Sequence, residues 1–410
     1  MPSIRARLLA RLPVEDRGAR WRFVLYALHL LTLFGLALSN VFAVIAVVAL
    51  PFTGPLPRRE WRELRPVLLP LCLYVLFLLA AIAASYEPLA SLRETGELFV
   101  LITLPLAFVA VRGARAARWL VDAIVLVTAA LAALGLFQLA LGFGDIDHRI
   151  RGPFSHYMTF AGFVLLADLL LVGRWVLRPD APEPRSPIDR WPVALACFAA
   201  FQLALFASLT RNAWVGLAVA LPLVVGLVRP RWLLAAIPAV ALFVLLAPTP
   251  TLWRAISVID IHDESNYDRL CMTQAGLAMV AERPLLGIGP DLVKKRYAIY
   301  RDPTAPRLRV PHLHNSYLEL AAERGLLSLG AYLALMGASL TAAWRTFRRA
   351  RAGQGGAGDL ALGALGAIVA FAVAGLFENN WGDTEVQRLA LFVLALPFCA
   401  RLDGEEGLPG

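Results

Sequence analysis

"WRFVLYALHLLTLFGLALSNVFAVIAVVALPF", residues 21–52, is the run whose reading decides the fold. Taken as one helix rising about 1.5 Å per residue, it would overshoot the ~30 Å of a bilayer's hydrocarbon by roughly 18 Å. Taken as two short spans with a tight turn at "LSN", residues 38–40, it fits. The choice fixes which side of the membrane every later loop occupies.

Charge decides for the split. With "RARLLARLPVEDRGAR" in the cytoplasm, the loops that fall inside are "PLPRREWRELRP", "VRGARAAR", "GRWVLRPDAPEPRSPIDR", "VRPR" and "RTFRRARAGQ", each rich in arginine. Loops that fall outside, such as "SYEPLASLRETGE" and "ENNWGDTE", are neutral or acidic. A single first span would put the N-terminal arginines opposite all the others, against the bias of cytoplasmic loops toward Lys and Arg.

Apolar runs continue along the whole chain. Its 410 residues are 59% hydrophobic and 17% charged, more apolar surface than a soluble fold of that length buries. Spans of sufficient length are expected at 21–37, 38–53, 66–84, 96–111, 118–142, 155–177, 192–209, 212–228, 232–247, 324–346, 358–377 and 385–402. The expected fold is therefore an all-α integral membrane protein of about twelve transmembrane helices. Residues 1–248 form an N-terminal bundle of about nine, 249–323 a large outer loop, and 324–410 the last three or so. The outer loop is basic, carries the only two lysines, Lys294 and Lys295, and holds apolar stretches, "MTQAGLAMV" and "PLLGIG", that suggest short packed helices. The four cysteines are scattered and show neither a disulfide framework nor zinc spacing. Net charge is +9, yet no soluble module presents a continuous basic face, which excludes a nucleic-acid partner.

The polar groups that could do chemistry fall at the outer face. Arg211 lies in "SLTRNAW", a tight connection where a charge is expensive without a partner or a wet cavity. Arg149 and Arg151 in "DHRIRGPFSHY", Arg269 in "NYDRLCMTQAG", His314 in "RVPHLHNSYLELAAERGLLSLG" and Asp383 in "FENNWGDTEVQR" join it at that level. Arginine's planar fork grips phosphate oxygens two at a time and keeps its charge. An imidazole titrates near pH ~6.5, so a histidine there has a lone pair available to take a hydroxyl proton. If the leaving group is a diphosphate, arginines that hold its charge suffice, and neither metal nor nucleotide is demanded.

Bland readings compete with each of these. Arg254, Arg283, Arg301 and Arg307 read as headgroup anchors, His312 as a neighbour, and Asp168 as a paired structural acid within its span. Capping of a helix start competes for His314 and Asn315. "GIG" at 287–289 follows no strand, so it is no nucleotide loop. Charges kept at one interface, without internal repeats, disfavour a transporter or flippase.

"HNSYLELAAERGLLS" resembles the signature of the O-antigen ligase family: His, then Asn, Ser or Gln, nine residues, Gly, two residues, and a small residue or Tyr. His314, Asn315 and Gly325 match in register, with Ser328 in place of the usual Gly, Thr or Tyr. "SLTRNAW" is similar to that family's arginine-bearing turn, and "YDRLCMTQAGLAMVAERPLLGIGPD" to its outer-loop block. The resemblance is strong over the C-terminal half and one of topology elsewhere. It implies a GT-C-like glycosyltransferase of the bacterial inner membrane, multi-pass, with both termini cytoplasmic and the active site in a long periplasmic loop. The implied donor is undecaprenyl diphosphate-linked O-antigen, the acceptor lipid A-core oligosaccharide, with membrane lipids around the protein and no cofactor or metal. Carried over, His314 would be the general base and Arg211 and Arg269 the diphosphate grip, with Asn315, Arg151 and Asp383 in support. O-antigen polymerases and protein O-oligosaccharyltransferases share the architecture and stand as alternatives.

Overall fold

The computed structural model describes residues 13–14, 16–56, 61–94, 96–144, 149–177, 186–235, 245 and 264–401. Every regular element among them is helical. Five helices there are long and apolar enough to cross a membrane, and three more apolar helices are shorter.

The first apolar run is split, as the charges require: α1 is Arg17–Leu31 and α2 is Leu36–Ala49. The turn, however, is Thr32 to Gly35 rather than "LSN", with Gly35 N–H bonded to Thr32 O at 2.9 Å. Ser39 and Asn40 lie inside α2 because the core, not the turn, offers them partners. Ser39 Oγ donates to His29 O at 2.9 Å, and Asn40 Oδ1 accepts from Arg388 at 2.6 Å.

After these come α3 (Trp61–Ala83), α4 (Pro88–Glu94), α5 (Glu97–Leu101), α6 (Thr103–Ala110), α7 (Gly113–Ala140) and α8 (Tyr157–Val176). The span expected at 96–111 is thus two pieces broken at Ile102. Next are α9 (Trp191–Ala207), α10 (Arg211–Val228), α11 (Glu264–Glu282), α12 (Val293–Tyr300), α13 (Ser316–Arg351), α14 (Gly358–Ala374) and α15 (Thr384–Cys399). Of the span expected at 232–247, only the 3-10 turn Pro230–Ala235 and residue 245 are described; the rest, with Arg254, lies outside the described residues.

Three helices form the interior. α8, α14 and α15 are buried on almost every side, which their near-uniform apolar sequences allow. Small residues let backbones touch: a Cβ on Gly173 of α8 would lie 2.2 Å from Gly363 N of α14. Such approach is how helices associate where lipid supplies no hydrophobic driving force. Asp168 in α8 accepts from Gln202 Nε2 of α9 at 2.7 Å, the paired acid anticipated.

The two ends differ in chemistry. At one, Arg174 reaches Asp122 at 2.9 Å and Asp189 at 3.2 Å, and Arg118 meets Asp359 at 3.0 Å. This network ties two of the arginine-rich loops to α7 and the start of α14. At the other end, a second small core of Met272, Met279, Ile288, Val293, Tyr297 and Leu313 stands apart from the main one. It is built by α11, α12 and the start of α13.

Candidate functional site

A broken helix supports the site. Gly325 interrupts α13 with φ 77° and ψ 171°, freeing backbone groups on both sides of the break. "PLLGIG" satisfies them: Ile288 N–H bonds Ala322 O at 2.9 Å, Gly289 N–H bonds Glu323 O at 3.0 Å, and Leu326 N–H bonds Pro284 O at 2.8 Å. The segment expected to be a short helix is therefore a splint. Its Gly287 and Gly289, at φ 68° and 125°, bring the chain flat against α13. The turn before Gly325 is polar yet helical, so the helix starts at Ser316, eight residues before the expected span at 324.

Asn315 is the cap of that helix. Its Oδ1 accepts from Tyr317 N and Leu318 N at 3.0 Å each, while its Nδ2 donates to Leu376 O at 3.1 Å. Ser316 continues the stitching: its N–H bonds Gly375 O at 2.8 Å and its hydroxyl bonds Glu378 O at 3.0 Å. Residues 314–316 are thus tied along the 375–378 segment by backbone and side chain together.

His314 is released by this capping to serve another purpose. It stands just outside the helix with φ 51°, and its Nδ1 lies 2.9 and 3.1 Å from the two oxygens of Glu378. An ionised carboxylate only accepts, so Nδ1 carries the proton and Nε2 the lone pair. Burial pushes the Glu378 carboxyl up, but the hydrogen bond from His314 and the electrostatic influence of His314, His312 and Arg269 outweigh it, leaving it lowered to about 2. The carboxylate stays charged and fixes the ring, the base-and-orienter arrangement that acid–base catalysis needs.

Arg269 shares the cavity. A recess of about 330 Å³ is lined by His314, Asn315, Arg269, Thr273 and the apolar Leu270 and Phe377, among others. Arg269 projects from α11 and is steadied by a 2.9 Å bond from Nη1 to Phe377 O. Arg211 does not line this recess, yet it stands at the same end. α10 runs antiparallel to α14, a Cβ on Gly216 falling 3.4 Å from Ala374 and one on Gly366 falling 2.4 Å from Val224. Arg211, the first residue of α10, is therefore level with the loop that leaves α14 toward Glu378.

The supporting residues divide. Arg151 is exposed, with Nη1 bonded to Ser155 O at 3.3 Å, on a loop that Ile150 N–H ties to Ala207 O at 3.3 Å. Arg149 lies 4.4 Å over the Tyr157 ring. Asp383 caps α15 through Val386 N–H at 3.2 Å and accepts from the Thr159 hydroxyl, so it joins α8 to α15. Burial raises the pKa of its carboxyl, and the charge of Glu378 adds to this, so Asp383 lies within electrostatic reach of the residue that orients His314.

Sequence reading missed Glu378, Glu319 and Glu97. Glu319 accepts the Leu313 N–H at 2.7 Å and so pins the loop bearing His314. Glu97 lies under the site, 2.8 Å from Arg324 and 3.0 Å from Trp381 Nε1. One acid in the outer loop "FENNWG" carries no pattern that separates it from solvated neighbours; only Glu319 sat inside a recognised motif. His312, His314 and Glu378 also bring three potential ligand atoms within 4.8 Å of one another, so this set could hold a divalent cation as well as a proton.

Comparison with known proteins bears on the same residues. No curated protein matches the chain. Residues 194–329 match the family model described as O-antigen ligase, a segment that holds Arg211, Arg269, His314 and Gly325 together.

Proposed function

We propose that the protein is an O-antigen ligase of the bacterial inner membrane. It transfers the glycan of an undecaprenyl diphosphate-linked donor to lipid A-core oligosaccharide. His314 Nε2 takes the proton from an acceptor hydroxyl as its oxygen attacks the anomeric carbon. The bond from that carbon to the diphosphate oxygen breaks from the opposite side, so the configuration inverts. The diphosphate leaves with the electron pair, its charge held by Arg269 and Arg211, which removes the need for a general acid. Glu378 holds the ring in the tautomer that leaves Nε2 free and stabilises the imidazolium that forms.

The observation that carries this reading is the meeting of His314, held from behind by the buried Glu378, with Arg269 at one recess. The apolar Leu270 and Phe377 beside Arg269 suit an amphiphile whose charge adjoins a lipid tail. In this reading the chain has about twelve spans, a GT-C-like fold, cytoplasmic termini and a periplasmic loop over 249–323 that carries the catalytic motif. The arginine-rich loops at the opposite end from His314 support that orientation.

A polymerase of the same superfamily would use the same chemistry on a second lipid-linked glycan. Deleting the gene separates the two. Loss of a ligase leaves bare core, with polymer accumulating on the undecaprenyl carrier; core capped by a single repeat would instead identify a polymerase.

The arginine roles have their own test. Arg269→Ala is expected to weaken donor handling by roughly tenfold to a hundredfold, the scale of one charge-assisted hydrogen bond. Arg269→Lys should recover part of it, because an ammonium restores the charge but not the fork. Arg211 should behave alike. Equal kinetics for Ala and Lys variants of both would remove diphosphate binding from the mechanism.

A further inference from the structure

A second imidazole stands beside the first and has no part in the chemistry above. We propose that His312 is a positioning residue for the base, its Nδ1 accepting the backbone N–H of His314 and holding that residue in the left-handed conformation that turns its ring onto Glu378. The inference rests on the reading of His314 as general base.

His314 has φ 51°, a region where a residue with a Cβ is strained unless its surroundings hold it there. Its neighbours are held by others: Leu313 N–H by Glu319 at 2.7 Å and Ser316 N–H by Gly375 O at 2.8 Å. The N–H of His314 itself goes to His312 Nδ1 at 3.3 Å. This is the geometry of an Asx turn, in which a side-chain acceptor binds the backbone N–H two residues on. The two rings meet edge to face with centroids 4.3 Å apart, so His312 also walls one side of the base.

Acceptance places the ring proton on Nε2. His312 Nδ1 also lies 3.5 Å from Glu378 Oε1, a longer approach than its 3.3 Å contact with the His314 N–H.

Asparagine decides the matter, because its Oδ1 sits where histidine's Nδ1 does and cannot titrate. His312→Ala is expected to lower kcat by roughly tenfold to a hundredfold with KM for the lipid donor unchanged, the signature of a misplaced base. His312→Asn should restore kcat to within about threefold of wild type, whereas His312→Phe, which fills the space without an acceptor, should not. Each variant is purified in detergent and its thermal unfolding compared with wild type. Wild-type kcat in His312→Ala, or an Asn variant as slow as Phe with both folded, overturns the inference. Where Ala or Phe fails to fold, Asn alone decides: near-wild-type turnover upholds the role, and a tenfold or greater loss ends it. His314→Ala, run alongside, keeps the two readings apart: if it retains full turnover the base assignment fails, and if it is inactive a failure of Asn rescue counts against His312 alone.

Discussion

Purified His314→Ala is expected to lose transfer by roughly 10²- to 10⁴-fold, the usual contribution of a positioned acid–base group, while it still folds and binds donor. Folding should survive because the helix start does not depend on the imidazole: Asn315 supplies the cap and Ser316 the bonds to the 375–378 segment. Donor binding should survive because Arg269 is held by Phe377 O rather than by His314. Glu378→Gln extends the test. Its amide preserves an acceptor for Nδ1–H but removes the charge, and its NH₂ end can present a donor that favours the wrong tautomer. A fall in kcat of up to about 10⁴-fold is expected, the scale seen when the orienting acid of a Ser-His-Asp set is made an amide. Turnover by transfer assay and thermal unfolding in detergent are the two readouts. Full activity of folded His314→Ala would end the general-base proposal.

His314, Asn315 and Arg269 each stand out in a short local motif, and the fold brings all three to one recess. Glu378 does not stand out, since its pairing with His314 bridges 64 residues and depends on two helix ends meeting. A lone acid in an acidic outer loop has no local feature that says it is buried. The split of residues 21–52 was readable from loop charge, whereas the position of its turn was not. "LSN" has turn composition, but Ser39 and Asn40 are used by His29 and Arg388, contacts only the folded bundle defines. Hydropathy likewise placed the start of α13 near 324, since that measure detects contact with lipid rather than helix; "SYLELAAER" is helical and polar. The sequence places Asp383 and Arg151 at the level of the site, with a loose family resemblance behind Asp383. Which direction a side chain faces is a tertiary fact: Asp383 bonds Thr159 and Val386 and lies within electrostatic reach of Glu378.

Gly325→Ala is expected to prevent folding of the outer half of the protein rather than to impair chemistry selectively. Two observations combine. At φ 77° a Cβ is strained, and the one it would gain lies 2.1 Å from Leu285 O and 2.4 Å from Leu286 N, backbone atoms with no rotamer to escape into. Relief would mean separating α13 from "PLLGIG", which abandons the bonds from Ile288, Gly289 and Leu326 that satisfy the broken helix. A destabilisation on the order of 3 kcal/mol or more follows from strain and overpacking together. Gly287→Ala should do the same from the other side, since its Cβ would stand 2.4 Å from the Glu323 carbonyl carbon. Gly330, further along α13, has open space around it, so Gly330→Ala is the matched control and should be neutral or stabilising by up to ~1 kcal/mol. Yield of folded protein by size exclusion, with thermal unfolding in detergent, measures all three. If Gly325→Ala unfolds at the wild-type temperature, the helix passes through that position unbroken, and the glycine of the signature serves something other than the contact with the 284–289 splint.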